Sequence, residues 1–320
     1  MRRFGFLLYL LSVVLAVSCK KDVLHTDKVY RLVSNTTDRM NRMIFLNEST
    51  CLVAGGEKYD RATIVRSDNG GYTWTAGSYP LVGKAFYGLC IAPSGHIYMS
   101  GVDGVVLHSG DSGQSWQLGR IPDWEQYVGI SFPTSDTGVF VSTTLQRMGA
   151  IVQVDTNFNI ISKDTFLHGI NDVYMVSPST GYVIGYGAVL KTTDFRRTWV
   201  YQDVKGDNFT AMDVHGDEIW MCGANGSIFH TDNGGAVWQR LRNGNSLALK
   251  HFALRDILFV DNTHGWAVGD DGLVIYSQDG GNNWMEFDRF TTSTLRAIVK
   301  CPNGDMLVAG DGGELYRFVL

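Results

Sequence analysis

The sequence predicts an all-β protein built as a seven-bladed β-propeller of four-stranded antiparallel blades. A tryptophan-bearing turn recurs at intervals of about forty residues, and each interval divides into four short β-rich runs separated by glycine, aspartate and asparagine. Four antiparallel strands in about forty residues make one propeller blade. The composition agrees, since 37 glycines and 18% charged residues suit a protein with many tight turns.

The recurring turn is clearest at residues 67–74, where the sequence is Ser-Asp-Asn-Gly-Gly-Tyr-Thr-Trp. This copy and four others each end on a tryptophan, which gives the set Trp74, Trp116, Trp199, Trp238 and Trp284. The interval between the second and third copies is about twice the others, and a degenerate copy at residues 153–157 falls inside it. A seventh unit, at residues 310–317, stops where its turn would begin. We therefore count seven units.

Residues 254–287 show the order of strands within one unit. The runs at 255–260, 265–269, 273–277 and 284–287 are predicted strands, and an Asp-Gly-Gly turn precedes the last of them. The seventh unit lacks its fourth strand, and the run Val29–Val33 ahead of the first unit is expected to supply it. Closing the ring in this way leaves no open sheet edge, and it places the propeller at residues 29–320.

The residues before the propeller are predicted to be an export signal and a tether. Two arginines precede an apolar run that is too short to span a bilayer with ease, as is typical of a signal peptide at residues 1–18. The run ends in Leu-Ala-Val-Ser-Cys, which resembles the lipobox of bacterial lipoproteins and makes Cys19 the expected lipidation site. The alternative is an ordinary cleaved signal with a chance cysteine. Residues 19–28 are expected to form a flexible tether.

The expected membrane contact is through the lipid anchor alone. The residue after Cys19 is lysine rather than the aspartate that retains enteric lipoproteins at the inner membrane. We therefore expect an outer-membrane lipoprotein that faces either the periplasm or the cell surface.

The composition argues against several other classes of function. A formal net charge of −5 gives no general attraction for nucleic acid. The histidines lack metal-binding spacing and no glycine-rich loop leads from a strand into a helix, so neither a metal nor a cofactor is predicted. The cysteines beyond Cys19 lack CxxC spacing and are interpreted as free thiols, three of them in strand-like runs, although the sequence does not fix their disulfide state: Cys51, Cys90, Cys222 and Cys301.

The recurring turn resembles the Asp-box, or BNR repeat, Ser-x-Asp-x-Gly-x-Thr-Trp, which occurs in sialidases, in sortilin and in the photosystem II assembly and stability factors. Residues 109–116 match it closely, and the strand pattern of residues 265–277 is most similar to the photosystem II assembly factor family. The resemblance covers the chain after residue 28 and implies the fold more firmly than the function. The box residues expected to be structural, by bonding the turn backbone or packing between sheets, are the five tryptophans with Asp111, Asp194 and Asp279.

A partner-binding site is expected on the face opposite the Asp-boxes, where the first strand of each blade begins around the central channel. Aligning the units puts seven residues at these strand starts: Arg42, Tyr87, Val128, Asn171, Thr210, Arg255 and Arg296. Blades 6, 7 and 1 become neighbours when the ring closes, so their three arginines are predicted to crowd one sector. Clustered cations favour an anionic partner such as a carboxylate. The alternative is that each arginine pairs with an acid from a neighbouring loop, such as Asp256.

The other sector of the mouth is predicted to be aromatic, with Phe86, Tyr87, Trp124, Tyr127 and Phe209 at or near strand starts. Exposed aromatic rings stack on sugars or peptide side chains, although such residues also fill space between blades. Tyr87 and Tyr127 therefore join the three arginines as candidate partner-binding residues. The photosystem II assembly factors are similar in carrying an arginine patch on the propeller, and this resemblance implies docking of a protein tail.

We therefore expect a non-catalytic lipoprotein that docks a protein or peptide segment, with glycan binding as the alternative. A sialidase-like glycosidase ranks third. Residues 120–122 resemble the Arg-Ile-Pro motif of sialidases but trail the second Asp-box instead of preceding the boxes. The three mouth arginines could imitate the sialidase arginine triad, and Glu125 and Tyr127 could imitate its glutamate and tyrosine. A mainly cationic mouth favours a peptide, and a mainly aromatic mouth favours a glycan. An acid and a tyrosine within hydrogen-bond distance beneath the arginines would favour the glycosidase.

Overall fold

The computed structural model describes residues 23–24, 28–80, 82–144, 148–194, 196–244 and 252–318. The predicted signal peptide, Cys19 and most of the predicted tether lie outside these ranges. The described residues form seven β-sheets joined by turns and short 3-10 segments. The all-β class and the seven-bladed propeller are confirmed.

Each blade is built on four antiparallel strands, and in blades 1 to 6 these four run in chain order from the channel outward. Two strands precede the first blade: β1 (Val23–Leu24) and β2 (Val29–Leu32). Blade 1 contains β3 (Met40–Phe45), β4 (Cys51–Glu57), β5 (Arg61–Ser67) and β6 (Thr75–Ser78). Blade 2 contains β7 (Phe86–Ile91), β8 (Ile97–Gly101), β9 (Val105–Ser109) and β10 (Gln117–Arg120). Blade 3 contains β11 (Tyr127–Ser131), β12 (Thr137–Thr144), β13 (Met148–Asp155) and β14 (Ile160–Phe166).

The remaining four blades repeat this order. Blade 4 contains β15 (Ile170–Met175), β16 (Gly181–Gly185), β17 (Ala188–Thr192) and β18 (Val200–Tyr201). Blade 5 contains β19 (Phe209–His215), β20 (Glu218–Gly223), β21 (Ile228–Thr231) and β22 (Gln239–Arg242). Blade 6 contains β23 (Leu254–Phe259), β24 (Gly265–Gly269), β25 (Val274–Ser277) and β26 (Met285–Phe287). Blade 7 contains β27 (Leu295–Lys300), β28 (Met306–Gly310) and β29 (Leu315–Phe318), with β2 as its fourth strand.

The hydrophobic core lies between consecutive blades rather than inside any one sheet. Every residue of β8, β16, β24 and β28 is buried, because both faces of these second strands pack against neighbouring sheets. Aromatic pairs join the blades: Trp220 of blade 5 stacks on Phe259 of blade 6 with ring centroids 4.0 Å apart. Packing of this kind fixes the angle between blades and therefore the geometry of the channel.

The ring closes through the N-terminal strand, as predicted. Strand β2 pairs antiparallel with β29, with Val29 opposite Phe318 and Leu32 opposite Leu315. The first strands are neighbours all around the channel, and β27 of blade 7 contacts β3 of blade 1. Strand β2 thus completes the hydrogen bonding of the sheet of blade 7.

The segment predicted to be a flexible tether contains one short strand. Strand β1 pairs in parallel with β26, with Val23 opposite Glu286 and Leu24 opposite Phe287. The outermost strand of a blade has free backbone N–H and C=O groups, which accept an additional strand. The chain therefore runs along the rim of blade 6 before it enters blade 7.

The two faces of the ring carry different connections. The loops between blades and the turns from second to third strands share one face, which we name the mouth face. The turns from first to second strands and the Asp-box turns, such as residues 110–115, share the other, which we name the Asp-box face. Each first strand begins at the mouth face, so the residues at its start surround the entrance to the channel.

Candidate functional site at the channel mouth

The seven residues aligned at the strand starts line a single cavity of about 380 Å³, the mouth cavity. One comes from each blade, namely Arg42, Tyr87, Val128, Asn171, Thr210, Arg255 and Arg296. The structure thus brings together the residues that the alignment of repeats placed there. Whether they bind a partner stays a prediction.

Four further residues line the mouth cavity and were not singled out from the sequence: Arg39, Asn41, Gln126 and Asn208. Arg39 directly precedes Met40, the first residue of β3, and lies three positions before Arg42. The described lining therefore presents four guanidinium groups, several amides and no carboxylate. It also contains only one aromatic residue, Tyr87, so the mouth is cationic rather than aromatic.

Each of the three predicted arginines is paired with a carboxylate, which was the alternative interpretation of the sequence. Arg255 donates from Nε and Nη2 to the two carboxylate oxygens of Asp270, at 2.8 Å each. Arg296 likewise donates from Nε and Nη2 to the two carboxylate oxygens of Asp311, with 3.0 Å between Nη2 and Oδ2. For Arg255 and Arg296 this pairing arises because the turns before the third strands bring Asp270 and Asp311 back to the mouth face.

The arginine–aspartate pairs use only part of the hydrogen-bond donors of the guanidinium groups. Asp311 is shared, since Arg39 Nε also lies 3.1 Å from its Oδ1. A guanidinium has five N–H donors, and each side-on pair uses Nε and Nη2. Within the described residues, Nη1 of Arg255 and of Arg296 makes no hydrogen bond, while their side chains are 33% and 21% exposed. These donors line the mouth cavity and are free to bind an anion.

Arg42 lies deeper and spans the channel. It belongs to blade 1, yet its Nη2 lies 3.7 Å from Asp172 Oδ2 of blade 4. Burial raises the pKa of the Asp172 carboxyl and raises the pKa of Asp256 in blade 6 to about 7. Because both carboxyls ionise less readily than usual, they neutralise the arginines less completely than their number suggests.

Asp172 and Asp256 also join neighbouring blades. Asp256 accepts hydrogen bonds from the backbone N–H of Ile257 in its own blade at 3.0 Å and of Ile298 in the next blade at 2.9 Å. Asp172 accepts the N–H of Val173 in its own blade at 3.0 Å and a backbone hydrogen bond from Met212 in blade 5. These contacts give the two acids a structural role beneath the mouth cavity.

The predicted aromatic sector is largely internal. Phe86, Tyr127 and Phe209 are completely buried. Successive side chains of a strand point to opposite sides, so Tyr87, beside Phe86, faces the channel and Phe86 faces the neighbouring sheet. By the same rule Val128 reaches the mouth cavity and Tyr127 does not.

The expected partner-binding role of Tyr127 is therefore not supported by its position. Its hydroxyl donates to Asp123 Oδ2 at 2.8 Å, and Lys163 lies 3.0 Å from the same oxygen. Glu125 is held by Lys163 at 3.1 Å. This acid–tyrosine pair lies at the entry to blade 3 and not beneath the arginines of blades 6, 7 and 1. The described residues do not assemble the acid–tyrosine arrangement of a sialidase.

Trp124 is the exposed exception among these aromatic residues. Its side chain is 81% exposed, with the guanidinium of Arg120 5.7 Å from the ring centroid. Arg120 belongs to the sialidase-like tripeptide, and its Nη1 donates to the Asp103 carbonyl in the turn of its own blade. This motif is on the outer strand of blade 2 and does not line the mouth cavity.

The Asp-box residues lie on the opposite face. Asp111 Oδ1 accepts hydrogen bonds from the backbone N–H of Gln114 at 3.0 Å and of Ser115 at 2.9 Å. Hydrogen bonds from Thr198, first from its hydroxyl and then from its backbone, lower the pKa of Asp194 to about 2. Asp279 holds its turn in the same way, with Asn283 N–H at 2.8 Å.

One box departs from the pattern at its glycine. Gly113 has φ of +77°, and the corresponding residue in blade 4 is Arg196, with φ of +68°. A non-glycine residue in this left-handed region is strained. Two hydrogen bonds compensate, from Arg196 Nη1 to the Pro178 carbonyl at 2.9 Å and from Arg196 Nε to Gln153 Oε1 at 3.3 Å.

The box tryptophans pack between sheets to different degrees. Trp74 is buried, and its Nε1 donates to the Gly71 carbonyl at 3.1 Å. The other four are partly buried against the clusters between blades: Trp116, Trp199, Trp238 and Trp284. These contacts are structural, and the boxes leave the mouth face free.

Other candidate features of the described residues are inert. The thiols of Cys51, Cys90, Cys222 and Cys301 are unpaired with one another, and burial raises the pKa of each. No group of three or more histidine, cysteine, aspartate or glutamate side chains in the described ranges is placed to hold a metal ion. No helix among these residues has the length and apolarity needed to cross a membrane.

The fold and the site define a class: an Asp-box β-propeller with an arginine-rich channel mouth. The family described as "Photosynthesis system II assembly factor YCF48" matches residues 153–250. The photosystem II assembly lipoprotein Ycf48 of Synechococcus sp. (strain CC9902) is 23% identical over 151 residues, which are 45% of this chain and 44% of that protein. The photosystem II stability/assembly factor HCF136 of Arabidopsis thaliana is 31% identical over 75 residues, 22% of this chain and 18% of that protein.

Solved structures are similar over nearly the whole chain. YCF48 bound to a D1 peptide superposes with a TM-score of 0.72 and 17% identity, covering 94% of this chain and 97% of that one. YCF48 from Cyanidioschyzon merolae gives 0.69 and 16%, covering 91% and 98%. The chain is thus a β-propeller like the photosystem II assembly factors, and its sequence matches span less than half the length of the curated relatives.

Proposed function

We propose that this propeller docks a protein or peptide segment that carries a carboxylate, and that the segment binds in the mouth cavity without being chemically changed. The observation that carries the proposal is the composition of the lining: four arginines, amides and a single aromatic residue around about 380 Å³. Guanidinium groups bind carboxylates through charge-assisted hydrogen bonds worth roughly 1.5–3 kcal/mol each. The donors on Nη1 of Arg255 and Arg296 are the first candidates.

The comparisons support this reading. The similar solved propeller named YCF48 is bound to a D1 peptide, and the curated relatives are named as assembly or stability factors rather than as enzymes. We carry over the mode of action, docking of a peptide, and not the photosynthetic partner. The peptide is identified here only by its chemistry, a free or side-chain carboxylate.

Glycan binding is the second candidate, favoured by the exposed Trp124 beside Arg120. An exposed aromatic ring offers a flat face on which a sugar ring can stack. The mouth cavity itself favours a peptide, because its lining is cationic.

The experiment uses a library of random octapeptides with free C-terminal carboxylates and the same library with amidated C-termini, each passed over the immobilised protein. We expect the free-carboxylate library to be retained and the amidated one to be retained only where glutamate or aspartate is present. The test variant is the double exchange Arg255→Gln with Asp270→Asn, which removes an ion pair without changing net charge. The control is Arg197→Gln, an exposed arginine on the Asp-box face.

The double variant should lose most of the enrichment, and the control should keep it. Equal retention of carboxylate-free peptides, or enrichment that survives the double exchange, would show that the arginines are structural only. Retention of neutral oligosaccharides in place of peptides would favour the glycan alternative.

We further propose that the chain is anchored to the outer membrane through lipid on Cys19. The support is the lipobox-like sequence before Cys19 and the lysine that follows it. The measurement is labelling of cells with an alkynyl palmitate followed by membrane fractionation. The wild-type protein should take up label and sediment with outer membranes, and Cys19→Ser should do neither; an equally labelled variant would contradict the proposal.

A further inference from the structure

A second cavity, the rim cavity, adjoins the mouth cavity between blades 4 and 5. It has a volume of about 450 Å³ and shares one lining residue, Asn208, with the mouth cavity. Tyr186, which is 55% exposed, and Ala224 are among the residues that line the rim cavity. A peptide held in the mouth can therefore reach the rim cavity without leaving the surface.

The rim cavity is fixed by backbone contacts. The N–H of Tyr186 donates to the Gly169 carbonyl at 2.9 Å, and Tyr186 forms an isolated antiparallel bridge with Asn208. The N–H of Gly187 donates to the Asp207 carbonyl at 2.9 Å. These bonds tie the turn of blade 4 to the loop that enters blade 5, so the cavity is formed before any partner arrives.

The space beside two glycines of the lining is open. A Cβ atom added at Gly187 would meet no atom within 4 Å, and one at Gly206 would meet only Arg240 Nη2, at 3.1 Å. Leu167, in the loop that leads to Gly169, is 91% exposed. A large apolar or aromatic side chain of a ligand would find room over the glycines and contact with the ring of Tyr186.

Asp207, the one carboxylate among the described residues that line the rim cavity, is not available to bind a cation. Asp207 is 5% exposed, and its oxygens accept the backbone N–H groups of Asn208 at 2.7 Å, Asn225 at 2.8 Å and Ser227 at 3.2 Å. Its hydrogen-bonding capacity is taken up by the loop. The rim cavity therefore offers the ring of Tyr186, the residues Asn208 and Asn225 and open volume rather than a free carboxylate.

We propose that the rim cavity is a specificity pocket for one aromatic or large aliphatic side chain of the same peptide whose carboxylate binds the arginines. The inference rests on the proposed function, since it assigns the residue at a fixed distance from that carboxylate. The arginines belong to blades 6, 7 and 1, and the rim cavity lies between blades 4 and 5, so the peptide crosses the mouth. The ligand is thus amphipathic, with an acidic group at one end of this path and an apolar group at the other.

The test uses alanine-serine octapeptides with a free C-terminal carboxylate, in which one phenylalanine is placed at each position in turn. We expect affinity to rise at least about fivefold at one or two adjacent positions over the peptide without phenylalanine, as for a residue that becomes an interface hot spot. Gly187→Asn fills the cavity at φ of +67°, a conformation that asparagine tolerates. It should abolish the gain from phenylalanine and leave binding of the phenylalanine-free peptide unchanged.

Gly216→Asn is the matched control, because Gly216 has φ of +68°, no atom within 4 Å of its Cβ, and a position on the Asp-box face. It should bind every peptide like the wild type. Tyr186→Ala is a second test variant and should also remove the phenylalanine preference. Melting temperatures of all three variants establish that they are folded.

The two proposals fail in different ways. If no carboxylate peptide binds, the proposed function is wrong and this inference falls with it. If the peptides bind but the position of phenylalanine has no effect, or its effect survives Gly187→Asn, the specificity pocket is wrong and the docking function stands. Binding of maltoheptaose that Gly187→Asn abolishes, with no phenylalanine preference, would also overturn the pocket as a peptide site.

Discussion

Replacing Asp270 by asparagine is expected to strengthen binding of a carboxylate peptide, although it breaks an ion pair. Asp270 occupies two donors of Arg255 and carries a negative charge beside the site. Burial alone would raise the pKa of Asp270, but the hydrogen bonds and charge of Arg255 lower it, so the carboxyl is ionised at neutral pH. The exchange removes this competitor and leaves the guanidinium in place.

The size of the gain follows from Coulomb repulsion. An anion on the free edge of Arg255 would lie about 6 Å from the Asp270 carboxylate, where two unit charges repel by about 0.7 kcal/mol in water and about 3 kcal/mol at an effective dielectric constant near 20. Both side chains are 33% exposed, so a value toward the lower end, about 1 kcal/mol, is appropriate. This corresponds to about fivefold in Kd.

The assay is a titration of a fluorescent free-carboxylate octapeptide into each variant, read by anisotropy at low and high salt. The gain should shrink as salt rises, because screening weakens the repulsion. Asp232→Asn, an exposed aspartate on the Asp-box face, changes net charge equally and should alter Kd far less. Unchanged or weaker binding by Asp270→Asn would refute the view that the pair competes with the ligand.

Three further outcomes concern stability. Trp74→Ala should lower the free energy of unfolding by about 3–5 kcal/mol, as truncation of a buried tryptophan does. Trp124→Ala, at an 81% exposed site, should change the free energy of unfolding little. Equal effects of the two variants in denaturant titrations would contradict the packing of Trp74 between sheets. Burial raises the pKa of Asp256 above its unfolded value, to about 7. The contribution of this group to stability is therefore complete below about pH 4 and is lost as pH rises through 7. Asp256→Asn should flatten the fall in Tm over that range, and an unaltered slope of Tm against pH would contradict the raised pKa of Asp256. Deleting residues 29–32 should expose β29 and lower Tm, and an unchanged Tm would mean that the ring does not depend on its closing strand.

The repeat made much of the fold predictable. Each Asp-box fixed the end of a third strand, and counting back along the unit located the strand starts that line the mouth cavity. Alternation within strands, applied to β11, would also have indicated that only one of Tyr127 and Val128 faces the channel. That signal was present in the sequence, and burial of Tyr127 shows its consequence.

Other features depend on distances that no repeat encodes. The pairing of Arg42 in blade 1 with Asp172 in blade 4, at 3.7 Å, joins residues from blades that are not neighbours in the ring. The rim cavity is formed by loops of two blades, with residues 186–187 from blade 4 and residues 206–208 and 224–225 at blade 5. Loop shapes of this kind follow from tertiary contacts and not from local pattern.

The central claim is that a peptide docks at the mouth cavity, and photo-crosslinking locates the ligand most directly. A carboxylate octapeptide selected from the library, with benzophenone in place of one side chain, is bound to the wild-type protein, irradiated and mapped by mass spectrometry. The account predicts crosslinks to mouth-face residues such as Tyr87, Gln126 and Tyr186, which an excess of the unlabelled peptide should prevent. Crosslinks concentrated on the Asp-box face, or unaffected by that competitor, would contradict it.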